Sequence, residues 1–128
     1  MQTKQQERAK FALEQLESEA RNGGIDKDLS TFIVGMPNMI LSNGLGQSLA
    51  FLLSKRGKKD EWKYIFVFNV IKEYLTKNYK MFKGYSDDFS FLSKFNTISQ
   101  GDYLKIQDEV LRMLEWLKRY ARAFERKD

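Results

Sequence analysis

The chain has 128 residues, 42% apolar and 30% charged, with a formal net charge of +5, which is one globular domain's worth of material and too apolar for a disordered chain. Neither cysteine nor histidine occurs. Disulfides, Cys/His zinc sites and Ser–His–Asp or Cys–His nucleophiles are therefore excluded, an intracellular setting is favoured, and acid–base chemistry is left to Asp, Glu, Lys or Tyr.

The opening "MQTKQQERAK" is polar where a secretory leader would turn apolar, so no leader is expected. A first helix is predicted from about Thr3 to Arg21, with Ala9, Ala12, Leu13, Leu16 and Ala20 on one face, stopped by the "NGG" at Asn22–Gly24. A second should span about Lys27 to Leu41, capped by Asp26 and kinked near Ile33–Met36 by Pro37. A third follows the "NG" break, from about Leu45 to Lys55, and Gly57 ends it. Gly44 suits a left-handed exit from the second helix, and Gly46 suits close packing. The uncharged run Leu29–Ser54 is long enough to cross a bilayer. Its proline, glycines and amides, and the "SNG" that splits it, favour two buried helices and no membrane.

A fourth helix is predicted over about Asp60 to Asn78. "YIFVFNVI" alone suits a strand, but Tyr64, Phe68, Ile71, Leu75 and Tyr79 keep a helical period for longer than strands usually run. A short helix near Asp88–Phe95 follows. "SQGD" then resembles a capped start for a last helix from about Gly101 to Arg126, where Tyr103, Ile106, Val110, Leu114, Leu117, Ala121 and Phe124 recur by threes and fours. The expected fold is all-α: a single compact bundle of five to six helices with a long C-terminal helix, residues 1–128 forming one domain.

Charge is uneven. Residues 31–54 carry none, whereas residues 55–84 carry nine cations against three anions. One basic group, Lys55, Arg56, Lys58 and Lys59, lies on the loop after the third helix, with Lys63 a turn into the next. A second lies along the last helix, where Lys105, Arg112, Arg119, Arg122 and Arg126 fall in a sector of about 100° opposite the apolar face. Beyond Glu115, Lys118, Arg119, Arg122, Arg126 and Lys127 outnumber Glu125 and Asp128. Such cations either complement the helix dipole and solvate a face, or meet a polyanion. Lysines follow a phosphate backbone as mobile point charges, and arginine adds bidentate bonds. No base-reading motif is present, so contact would be backbone-directed and salt-sensitive, with a log–log slope of roughly −3 to −5 for about five phosphates.

Tyr85, Phe89, Phe91 and Trp116 are candidates for stacking on bases, against the plainer reading that aromatics at helical spacing are core. Asp87–Asp88 and Asp108–Glu109 are acid pairs, but neighbours in a helix point apart, so capping and solvation account for them better than acid–base or metal chemistry. "GLG" at Gly44–Gly46 lacks the Gly-Lys-Ser/Thr of a phosphate loop.

"MPNMILSNGLGQSLAFLLSK" at Met36–Lys55 and "DYLKIQDEVLRMLEWLKRYARA" at Asp102–Ala123 together resemble the small subunit of the Cmr-type (type III-B) CRISPR–RNA effector complex. The shared features are the proline, then "NGL" and "LAF", and near the end a tyrosine, a helical glutamate and "WLKRYA". The resemblance covers most of the chain and is loosest over residues 60–96. It implies an all-α, non-catalytic, cytoplasmic subunit without cofactor. Several copies would stack as an inner filament beside the subunits that hold the CRISPR RNA, turning basic surface toward guide and target RNA. Lys55, Arg56, Lys58, Lys59, Lys118, Arg119, Arg122 and Arg126 are the residues expected to carry that contact. A second reading is a basic helical adaptor for acidic protein partners. A third, a small hydrolase working through Asp or Glu, is disfavoured by the missing histidine, cysteine and motif.

Overall fold

In the computed structural model, which describes residues 1–127, the elements in order are α1 (Lys4–Arg21), α2 (Lys27–Asn43), α3 (Leu45–Leu53), α4 (Glu61–Asn78), a 3-10 turn (Lys80–Phe82), α5 (Asp88–Lys94) and α6 (Gln100–Ala123). The fold is all-α. Among the described residues the one β-type pairing is an isolated bridge between Ile25 and Glu125, and no helix is long and apolar enough to cross a membrane.

The helix starts are written locally. Thr3 and Gln6 form a reciprocal capping box at α1, with the Thr3 hydroxyl accepting from the Gln6 amide at 3.0 Å and the Gln6 side chain accepting from the Thr3 amide at 2.8 Å. Asp26 accepts from the amides of Asp28 and Leu29 at the start of α2, and Asp87 accepts from Ser90 at the start of α5. The Ser99 hydroxyl accepts from the Asp102 amide at 3.1 Å, as "SQGD" suggested.

Two compact units are distinguishable. One comprises Met1–Asn38 and the chain from Leu111 onward; the other comprises Met39–Val110. Their boundaries fall inside α2 and α6.

In the first unit Ala12, Leu16, Ile25, Leu29, Leu114 and Leu117 are among the fully buried side chains. Leu13 leaves the expected apolar face of α1 and is 40% exposed, while Phe11 is buried instead. With Ala20 and Phe124 it lines an open groove of about 620 Å³, edged by Lys10, Glu14, Glu17 and Arg21.

The last helix stops three residues short of its expected end at Arg126. The amide of Ile25 takes the carbonyl of Phe124 at 2.7 Å, and the amide of Arg126 takes the carbonyl of Ile25 at 2.7 Å. An inter-segment pairing thus replaces the last intrahelical turn. Gly24 makes this possible: its φ is +104°, and a Cβ there would lie 2.8 Å from the Arg126 Cα.

Helix α2 runs unbroken through Pro37 to Asn43, its last residues belonging to the second unit, and the Gly44 amide closes it onto the Ile40 carbonyl at 2.7 Å. Gly44 turns at φ +83° and offers no side chain to cap α3. The α6 side chains do so instead. The Leu45 amide donates to Gln107 Oε1 at 2.8 Å, and the Gly46 amide donates to the Tyr103 hydroxyl at 2.6 Å. Two orphan donors of the first turn are thereby satisfied from 62 and 57 residues away. The approach is close, since a Cβ on Gly46 would meet the Tyr103 hydroxyl at 3.2 Å.

Beneath α5 lies an aromatic cluster. Phe82, Phe91 and Phe95 lie with ring centroids 5.2–5.5 Å apart, and Phe68 of α4 meets Phe91 edge-on at 6.1 Å. Phe91 is fully buried, so it is core and is removed from the base-stacking candidates. Tyr85 is half-buried under the Lys94 ammonium, 5.3 Å from its ring centre. Phe89, by contrast, is 83% exposed.

Candidate nucleic-acid interface

The loop group lies within the second unit, and Lys118, Arg119, Arg122 and Arg126 lie within the first. In the second unit, helix α3 ends at Leu53, and residues 54–60 form a succession of turns before α4. Lys55 lies on that loop, two residues past the end of α3. Its ammonium lies 5.0 Å from the Phe51 ring centre and 5.5 Å from that of Tyr64. These two rings pack edge-on, so the lysine stem is held between α3 and α4.

Arg56 is held too. Its guanidinium donates to Asp88 Oδ2 at 2.8 Å, while Lys72 donates to Asp88 Oδ1 at 2.9 Å. Lys72 also donates to the Ser86 carbonyl. The Asp88 carboxyl is held below the ordinary aspartate value chiefly by the Lys72 hydrogen bond; partial burial opposes this, and Arg56 adds to it. The Gly57 amide donates to Glu61 Oε2 at 2.7 Å, fastening the middle of the loop to the first turn of α4.

Lys58 and Lys59 are exposed and carry no carboxylate partner among the described residues. Anchoring thus sorts the four cations: Lys55 and Arg56 fix the loop, and Lys58 and Lys59 leave it.

The second group is balanced more locally. Lys118 pairs with Glu115 at 3.0 Å, and Arg122 pairs with Glu125 at 2.7 Å. Arg126, displaced from the helix, lies 3.9 Å from Asp26 and donates weakly to the Gly24 carbonyl at 3.5 Å. Arg119 is exposed and has no carboxylate partner among the described residues. The sector counted from a continuous helix therefore loses Arg126, because helical geometry stops at Ala123.

Beside Arg119 is a small cleft of about 280 Å³, lined by Gln5 of α1 and by Arg112, Glu115, Trp116 and Arg119 of α6. The Trp116 indole N–H donates to Gln5 Oε1 at 3.1 Å, and the Tyr120 ring lies 5.8 Å away, tilted by 32°. Sequence reasoning found Trp116 but not Gln5, because nothing local joins positions 111 residues apart.

Asp87, Asp88 and Glu109 each hold a structural partner. Asp87 caps α5, and hydrogen bonds from Ser90 lower its pKa. Asp88 serves Arg56 and Lys72. Glu109 is buried and accepts the Tyr74 hydroxyl, whereas its neighbour Asp108 is exposed. Among the described residues no group of three acids is placed to hold a metal ion.

The fold and these surfaces define a small all-α protein with a pinned cationic loop in one unit and a partly balanced cationic helix end in the other. Residues 4–124 match the family model described as CRISPR-associated protein (Cas_Cmr5). The chain belongs to that family, the small subunit of the Cmr type III-B complex, and it works alongside the other subunits of that complex. No curated protein matches the chain.

Proposed function

We propose that the chain is a non-catalytic, cytoplasmic subunit that stacks in several copies as the inner filament of the type III-B ribonucleoprotein. It lines the guide and target RNA channel with basic residues and so takes part in antiviral defence. The family match over residues 4–124 carries this reading. The exposed Lys58 and Lys59 support its RNA-facing part, since two ammonium groups with no carboxylate partner among the described residues, on a held loop, suit a phosphate backbone better than a mobile tail does. Lys55 and Arg56 contribute by fixing that loop. Arg119 is the best-placed cation of the second group, with Lys118, Arg122 and Arg126 adding charge already partly offset. The groove with exposed Leu13 and Phe124 offers apolar surface of the kind that subunit contacts cover. The chain acts as one domain in this reading, since both unit boundaries fall within continuous helices.

The test is made in the assembled complex, where repeated copies multiply weak contacts. Reversing Lys58 and Lys59 to Glu is expected to weaken target-RNA retention and flatten its salt dependence, with the melting transition unchanged. The pair is preferred to reversing all four cations, because Arg56→Glu would set a second carboxylate against Asp88. Retention identical to wild type at every salt concentration would sink the proposal. Association with acidic proteins that survives nuclease treatment, together with unchanged RNA retention, would favour the adaptor instead.

A further inference from the structure

We propose that the cleft at Trp116 takes one unpaired nucleobase of a single-stranded RNA segment, a role distinct from the charge contacts of the loop. The inference rests on the RNA-facing reading above and adds a chemical preference to it: charge alone does not separate paired from unpaired strands, whereas a stacking surface does.

Three observations carry it. The indole is half-buried and its N–H is already satisfied by Gln5, so its orientation is set through the ring edge. Trp116 lines the cleft together with Gln5, Arg112, Glu115 and Arg119. Tyr120 lies against the same indole and limits its movement. Arg112 and Arg119 lie one turn to either side of Trp116 on the same face of α6, about 10 Å apart along the axis. Arg119, exposed and one turn from Trp116, is placed to meet a phosphate beside a base in the cleft. The lone acid of the lining, Glu115, is offset by Lys118 at 3.0 Å.

The cleft is small, about 280 Å³, near the lower bound for ligand sites, and suits one planar group. A base within a duplex already has both faces stacked and cannot enter. Two guanidiniums at the rim disfavour a cationic side chain from a protein neighbour and favour an anionic chain bearing rings.

Trp62 is the one other tryptophan and is 46% exposed, so Trp62→Phe leaves Trp116 as the sole indole reporter in the full chain. Its emission is titrated at low salt with a short single-stranded RNA, an abasic ribose-phosphate chain of equal length and an RNA duplex. The single strand is expected to quench Trp116 and to bind about tenfold more tightly than the abasic chain. By anisotropy of labelled RNA, Trp116→Leu should bring the two affinities together, and Trp116→Phe should restore most of the difference. A purely structural tryptophan would not distinguish base-bearing from abasic chains.

Equal binding and quenching by single-stranded and abasic chains, or equal quenching by the duplex, overturns the inference. Trp116 emission that is already shifted in the RNA-free complex and unmoved by RNA also overturns it, by placing a protein side chain in the cleft. The broader reading fails separately, when the Lys58 and Lys59 reversal leaves RNA retention untouched in the complex.

Discussion

On the loop after α3, two aromatic rings and a carboxylate from α5 take up Lys55 and Arg56, and Lys58 and Lys59 project with no carboxylate partner among the described residues. Along the end of α6, Lys118, Arg122 and Arg126 each find an acid within a turn or across the Ile25 bridge, and Arg119 has no carboxylate partner among the described residues. Counted as charges, the two groups look alike. The difference shows that cation density in a sequence overstates the cation density offered to a partner, and that a loop pinned at Lys55, Arg56 and Gly57 offers more of it than a helix with acids one turn away.

The largest break in that contrast is expected from removing the support beneath α5. Phe91→Ala should cost about 3–5 kcal/mol, read as a lower urea midpoint, because the ring is fully buried among Phe68, Phe82 and Phe95. The Asp88 anchor would loosen with it. An unchanged midpoint would mean that the cluster does not hold α5.

Next in size is the comparison of the two surfaces themselves. Lys58→Gln with Lys59→Gln should reduce the log–log salt slope of RNA retention by about 1.5, the share of two phosphates. Lys118→Gln with Arg122→Gln should change it less, because Glu115 and Glu125 already offset those charges. Equal reductions would erase the contrast.

Asp88→Asn sharpens it from the loop side. Loss of the charged contacts to Arg56 and Lys72 should cost about 1 kcal/mol at neutral pH. Because the Asp88 carboxyl titrates below its ordinary value of 3.8 in the folded chain, its contribution is whole above that value and is lost as the pH falls through the lowered one. Wild-type and variant stabilities should therefore differ at neutral pH and converge in acid. Parallel curves through the acid range would show that Asp88 is not the anchor.

The smallest effect is expected on the other surface, where Lys118→Gln should change stability by no more than about 0.5 kcal/mol, the scale of an exposed pair one turn apart. A larger loss would mean that the helix-end pairs hold structure as the loop pairs do.

Most helix positions follow from local signals: Thr3 with Gln6, Asp26, Asp87 and Ser99 each satisfy first-turn amides within three residues. The spacing of Ile106, Val110, Leu114, Leu117 and Ala121 likewise names the buried face of α6. Leu13 and Phe124 fit the same periods and yet stay exposed, because periodicity says which face is apolar and not how far a neighbour covers it. The aromatic candidates divided for the same reason, Phe91 going to the core and Phe89 to the surface.

What the order of amino acids determined alone was the all-α class, the approximate extent of each helix and the placing of excess cations after an uncharged segment, since all three depend on contacts within a few residues. The tertiary structure decided where α6 stops, which distant side chains cap α3, which cations of the loop are held by rings and acids, and that Gln5 meets Trp116. Each of these depends on groups brought together across tens of residues, where helical period and spacing carry no information.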